Sequence, residues 1–122
     1  MEAPDILLQR LAEAGAIAVY TNCNTEAAKI YEAIAAWKPN AAVAYLGLAM
    51  NYQAKGDMDG AIKVLEQAVA GAGANPKKDL LKSVLALYLR IAGQSARSDQ
   101  IRDEILQSSK DPEALALVQD FR

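Results

Sequence analysis

Apolar residues recur every three or four positions along most of the chain, which is the spacing of one face of an α-helix. Leu85 and Leu89 illustrate it, as do Ile101 and Ile105. Alanine and leucine, the strongest helix formers, dominate the apolar positions, whereas aromatic and β-branched residues are too sparse for a β-sandwich. We therefore predict an all-α chain whose seven helices lie near residues 4–20, 25–37, 41–54, 58–71, 77–92, 97–108 and 112–121.

The breaks between the apolar stretches carry the residues that end and start helices. Gly56 can end a helix because glycine tolerates the left-handed backbone, and Asn22 can do the same. Asp57 can cap the next helix by accepting a hydrogen bond from its free amides. Asp111 followed by Pro112 predicts a further helix start, with Asp as the cap and Pro at the first position.

One stretch in the second quarter of the chain has a pattern that resembles the tetratricopeptide repeat. It has a large aromatic residue, Leu, a small residue, Tyr, a Gly-Asp turn, Ala, a large apolar residue and Ala. The residues that carry this pattern are Tyr45, Leu48, Ala49, Tyr52, Gly56, Asp57, Ala61, Leu65 and Ala68. The resemblance implies a right-handed tetratricopeptide-like solenoid, in which each helix pair packs on the next.

The same register extends in both directions from this repeat. Backward, Gly15 and Ala27 fall on small positions and Tyr31 on a large one; forward, Ser98 and Arg102 replace the expected Ala and large apolar residue. We expect a single domain over residues 1–122 with about three helix pairs and a C-terminal capping helix. The units lie near residues 4–39, 40–75 and 76–111, and the capping helix covers 112–122.

Composition argues against nucleic-acid and membrane partners. The formal net charge of −2, from 13 basic and 15 acidic residues, provides no field that would attract a polyanion. No run approaches the roughly 18 apolar residues that span a bilayer. The acidic start at Glu2 and Asp5 is unlike a signal peptide, and a single cysteine, Cys23, excludes an internal disulfide. We therefore expect a cytoplasmic protein without membrane insertion.

The residues for catalysis are missing as well. The chain has no histidine, which removes the commonest general base and the commonest metal ligand. Cys23 has neither a histidine to activate it nor a second cysteine to complete a metal site. We expect a protein-binding function, with no enzyme activity and no cofactor.

In a tetratricopeptide solenoid, the first helix of each pair lines a concave groove. The resemblance places these residues there: Gln9, Ala12, Ala16, Val19, Val43, Leu46, Met50, Gln53, Leu80, Ser83, Leu87 and Arg90. An apolar groove suits an amphipathic helix, with Val43, Leu46, Met50, Leu80 and Leu87 as anchors. The eight residues that we predict to bind the partner are Val19, Val43, Leu46, Met50, Gln53, Leu80, Leu87 and Arg90. Arg90 would fix the register by binding an acidic group of the partner. Alternatively, the C-terminal helix or the curvature of the solenoid buries these residues.

Short motifs near both ends are similar to those of the chaperones for the needle subunit of bacterial type III secretion systems. They comprise Leu7–Gly15, Asn24–Ile30, Trp37, Ile101–Leu106, Ser108–Pro112 and Val118–Arg122. This resemblance implies that the groove holds the amphipathic C-terminal helix of a needle subunit, with a small helical co-chaperone completing the complex. Masking that helix would prevent premature polymerisation.

Two other functions fit the same architecture. A chaperone for secretion translocators would bind an extended segment through two or three apolar anchors. A general adaptor or oligomerisation module would bury its apolar surface in a homodimer. The form of the bound ligand and the mass of the isolated protein separate these alternatives.

Overall fold

A computed structural model describes residues 4–121 of the chain, and within this range the chain is all-helical, without strands. The seven helices are α1 (Pro4–Tyr20), α2 (Asn24–Trp37), α3 (Ala42–Ala54), α4 (Met58–Ala70), α5 (Lys78–Ile91), α6 (Ser95–Ser108) and α7 (Pro112–Gln119). The number, order and approximate bounds of the predicted helices are therefore confirmed. Glu2 of the acidic start and the last residue of the predicted capping helix, Arg122, lie outside the described residues.

The turn chemistry predicted from the sequence is present. Gly56 has φ 81° and Asn22 has φ 63°, so both adopt the left-handed conformation that ends the preceding helix. The Asp57 carboxylate accepts a hydrogen bond from the amide of Gly60 at 2.8 Å. The Asp111 carboxylate caps α7 by accepting hydrogen bonds from the backbone amides of Glu113 at 3.0 Å and Ala114 at 3.4 Å. These local rules explain why the helix bounds are predictable.

The chain divides into two compact units, with the boundary after Val64 inside α4. In the first unit, α1, α2 and α3 pack against one another. In the second unit, α5, α6 and α7 do the same. The arrangement of helix pairs into a tetratricopeptide-like solenoid stays a prediction.

The core of the first unit is built around Tyr31 on α2, whose side chain is 2% exposed. Its hydroxyl donates a hydrogen bond to the carbonyl of Ala12 on α1 at 3.1 Å. Gly15 on α1 and Gly47 on α3 both face the ring, and a Cβ atom at either position would lie within 2.6 Å of a ring carbon. Burial, and to a lesser extent the Tyr20 phenolate, raises the pKa of Tyr31. The two glycines thus allow three helices to close on one aromatic ring.

Two buried serines occupy positions in the second unit where an apolar residue could stand. Ser98 on α6 is fully buried and its hydroxyl donates to the carbonyl of Ala86 on α5 at 2.8 Å. Ser98 therefore keeps the small size that the repeat pattern expects and also links α6 to α5. Ser83, which the sequence placed in the groove-facing row, is also fully buried, and its hydroxyl donates to the carbonyl of Leu80 at 2.7 Å.

The C-terminal helix α7 packs on α5 and α6. Ala114 and Val118, four residues apart on one face of α7, form a buried cluster with Ile105 of α6. Phe121, just beyond the helix, packs against the edge of this cluster. Glu113, Ala116 and Gln119 of α7 are exposed and form part of the protein surface.

Candidate protein-binding grooves

Each unit has an open, largely apolar depression, which we call the first groove and the second groove. The first groove lies between the end of α1 and the second half of α3, with a volume of about 410 Å³. Its residues are Val19, Tyr20, Met50, Gln53 and Ala54. Met50, Gln53 and Ala54 share one face of α3 because they are three and four residues apart. Val19 is buried and forms the floor, whereas Tyr20 is 77% exposed and forms the rim.

The second groove lies between α5 and α7 and has a volume of about 740 Å³. One wall comes from α5 and the other from α7 and the two residues after it. The lining residues are Leu87, Arg90, Glu113, Ala116, Leu117, Asp120 and Phe121. The residues of α7 follow helical spacing and form a face beside the one that carries Ala114 and Val118. The groove therefore has an apolar floor with charged residues on its borders.

The charge on the α5 side of the second groove is neutralised within the chain. Arg90 donates to the carboxylate of Asp99 on α6 at 2.8 Å, and its guanidinium lies 5.4 Å from the centre of the Phe121 ring. Arg102 binds the same Asp99 oxygen at 3.1 Å. The Asp103 carboxylate accepts a further hydrogen bond from Arg102 at 3.0 Å. This hydrogen bond, together with the charges of Asp103 and Asp99 and against the effect of desolvation, raises the pKa of the Arg102 guanidinium. The result is a surface network of two arginines and two aspartates.

The α7 side of the second groove carries the acidic residues. Glu113 pairs with Lys77 at 3.4 Å, although its side chain is 68% exposed. Asp120 is exposed and makes no ion pair within residues 4–121. The rim of the second groove is therefore acidic along α7.

Five of the eight residues predicted to bind a partner line the two grooves. Val19, Met50 and Gln53 meet in the first groove. Leu87 and Arg90 meet in the second groove. The other three predicted residues, Val43, Leu46 and Leu80, are half-buried and lie outside both grooves. Val43 packs against the core around Tyr31.

The sequence patterns did not identify Tyr20 at the rim of the first groove or α7 as one wall of the second groove. Tyr20 ends α1, and no repeat position marks it as exposed. The α7 wall was expected only as a cap, although the positions of Glu113, Ala116, Leu117 and Asp120 repeat at helical spacing. That spacing, read together with the inward pair Ala114 and Val118, could have identified the second face of α7.

The described residues lack both a cluster of metal ligands and a membrane-spanning helix. Residues 4–121 contain no group of three or more His, Cys, Asp or Glu side chains that could hold a metal ion. Among the helices of that range, none has the length and apolar character needed to cross a membrane. Cys23 is exposed in the turn between α1 and α2.

Comparison with known proteins identifies the family to which the chain belongs. The chain has no match among curated proteins or among solved structures. One family model, described as bacterial type III secretion protein (HrpB1_HrpK), matches residues 1–122. Because this match covers the whole sequence, the chain belongs to the HrpB1_HrpK family of bacterial type III secretion proteins.

Proposed function

We propose that this protein is a chaperone that binds an amphipathic helix of a type III secretion needle subunit and masks its apolar face. The observation that carries the proposal is the second groove, an open apolar cleft between two helices of a secretion-family protein. A cleft of this kind accepts the apolar stripe of a third helix through residues spaced three and four apart. Masking that stripe keeps a subunit that polymerises through apolar helix faces monomeric until export.

The shape and chemistry of the second groove support a helical ligand. Leu87 from α5 and Leu117 from α7 provide apolar contacts on opposite walls, and Phe121 adds a large ring. A groove with apolar residues on both walls can bury both sides of an apolar stripe, which an extended segment with isolated anchors does not require. The helical needle subunit is therefore favoured over an extended translocator segment.

The first groove supplies a second apolar surface of the same kind. Met50 contributes a flexible side chain that adapts to different shapes, and Tyr20 contributes an exposed ring with a polar end. Ile17, one turn before Tyr20, is also exposed. Burying these residues on binding would remove apolar area from water and so contribute to affinity.

Binding rather than catalysis, and a cytoplasmic location, are parts of the same proposal. The sequence offers no histidine for acid–base work. A chaperone that prevents premature assembly must meet its subunit before export, where that subunit is made. Cell fractionation of the tagged full-length protein should therefore recover it with the cytoplasmic markers. Recovery outside the cytoplasm would contradict the chaperone role in this form.

Co-expression with the neighbouring secretion-operon products tests the function directly. Purification through this chain, followed by native mass measurement, should give a stoichiometric complex with a short helical subunit, alone or with a small co-chaperone. A homodimer or monomer without such a companion would favour the oligomerisation or adaptor alternative and refute the proposal.

Groove variants connect the complex to the surfaces described above. Met50→Glu in the first groove and Leu87→Glu in the second place a charge among apolar contacts, and each should weaken capture at least about tenfold. Gln107→Glu, at an exposed position of α6, introduces the same charge outside both grooves and should leave capture unchanged. Circular dichroism checks that the variants remain folded. Equal capture by all three proteins would contradict the groove assignment.

A further inference from the structure

We infer that the second groove selects a helix whose apolar stripe is bordered by basic residues about two helical turns apart. This inference rests on the proposed function and specifies the ligand of the same site. It follows from how the charges around the groove are distributed between α5 and α7. Basic here means Lys or Arg at two positions seven residues apart along one edge of the bound helix.

The acidic side of the groove has a defined spacing. Glu113 and Asp120 are seven residues apart, and Asp120 keeps helical backbone angles at the C-terminal end of α7, with φ −83° and ψ −3°. Seven residues of α-helix advance by about 10.5 Å. Two carboxylates at that separation on one rim match two cations at the same separation on a helix lying alongside α7.

Within residues 4–121, neither carboxylate is held by a strong ion pair. The Lys77–Glu113 contact is long, at 3.4 Å, and joins side chains that are 50% and 68% exposed. Exposed ion pairs of this kind contribute little free energy, so a cation of the partner can replace Lys77 at little cost in stability. No ion pair within residues 4–121 engages Asp120.

Arg90, the basic residue of the groove, is already engaged. Its guanidinium pairs with Asp99 at 2.8 Å and stacks on Phe121. An acidic group of the partner would have to compete with Asp99 and would meet Glu113 and Asp120 across the groove. We therefore expect basic residues of the partner at the α7 rim, whereas the sequence-based expectation that Arg90 binds an acidic group of the partner stays a prediction.

Three synthetic peptides of one amphipathic helical sequence test this preference on the full-length protein. The peptides share their apolar stripe and differ at two edge positions seven residues apart, which are both Arg, both Gln or both Glu. Fluorescence anisotropy at low salt should show the highest affinity for the Arg peptide, a lower affinity for the Gln peptide and the lowest for the Glu peptide. Each exposed ion pair that forms should lower Kd roughly threefold, and each like-charge contact should raise it by a similar factor. The Kd of the Arg peptide should therefore be at least about tenfold lower than that of the Glu peptide. The difference should shrink at high salt because the groups are exposed.

Charge reversal in the protein provides the matched test. Glu113→Lys combined with Asp120→Lys should reverse the ranking of the Arg and Glu peptides. Glu26→Lys combined with Glu32→Lys makes the same change of charge at exposed positions of α2 and should preserve the ranking. A Glu peptide that binds the unaltered protein as well as the Arg peptide, or a ranking that survives reversal at the α7 rim, would overturn the inference alone. Failure of all three peptides to bind would instead overturn the proposed function, and the inference with it.

Discussion

Replacing Gly47 with alanine tests the packing of three helices around the Tyr31 ring. The added Cβ atom would lie 2.1 Å from Cε1 and 2.2 Å from Cζ of Tyr31. Carbon atoms in contact are normally about 3.5 Å apart, so the ring or the helix would have to move by more than about 1 Å. The ring has little room to retreat, because an alanine Cβ at Gly15, facing its other edge, would lie 2.6 Å from Cζ.

Two opposing terms set the size of the effect at Gly47. Alanine inside a helix is favoured over glycine by about 1 kcal/mol. Overpacking a tight core costs about 1–3 kcal/mol and sometimes more, and the overlap at Gly47 belongs at the upper end of that range. The free energy of unfolding should therefore fall by about 2 kcal/mol in Gly47→Ala, although the substitution raises helix propensity.

Urea unfolding followed by the fluorescence of Trp37, the single tryptophan, measures this change in the first unit. Tyr31→Val supplies the control background because it removes the ring atoms that meet the new methyl group. In that background Gly47→Ala should stabilise the protein by about 1 kcal/mol, reversing the sign of its effect. A neutral or stabilising effect of Gly47→Ala in the presence of Tyr31 would refute the packing argument.

Three further predictions concern single side chains. Asp111→Ala should cost about 1 kcal/mol by removing the cap of α7, while Asp111→Asn should retain most of the stability; thermal unfolding measures both, and equal losses would exclude capping as the cause. Ser98→Ala should cost about 1 kcal/mol in urea unfolding by removing the bond to Ala86, whereas an unchanged midpoint would show that this bond contributes nothing. The raised pKa of Tyr31 keeps its phenol protonated in the folded state, so its stabilising contribution is complete below about pH 10 and is lost as the pH rises above it. Between about pH 9 and pH 11, Tyr31→Phe should therefore lose less stability than the unaltered protein, and equal losses would contradict the assignment.

The helices could be predicted because their limits depend on local chemistry. The Gly56–Asp57 turn and the cap at Asp111 act within a few residues, so the sequence contains all that determines them. The start of α6 was placed two residues too late, because Ser95 precedes the apolar positions that define the periodicity. The link to type III secretion is confirmed by the family match, whereas the needle-subunit partner stays a prediction.

The candidate grooves were only partly predictable because they depend on contacts between separate helices. Helical spacing places Leu87 and Arg90 on one face of α5, and the structure keeps them together. The pairing of Arg90 with Asp99 requires α5 and α6 to lie side by side, which spacing along one helix does not reveal. Similarly, Gly47 has no distinctive position in the repeat pattern, and its importance emerges only when α3 is packed against Tyr31.

The short length of α7 couples the order of this segment to ligand binding. Helices shorter than about 12–15 residues are marginal in water, so the eight residues of α7 remain helical through their packing on α5 and α6. One wall of the second groove therefore exists only while α7 is docked. A ligand that binds this wall must stabilise the docked state, and by reciprocity any change that favours docking must raise the affinity for that ligand. Hydrogen exchange at the backbone amides of α7 would thus follow occupancy of the groove, because binding and the folding of this segment form a single linked equilibrium.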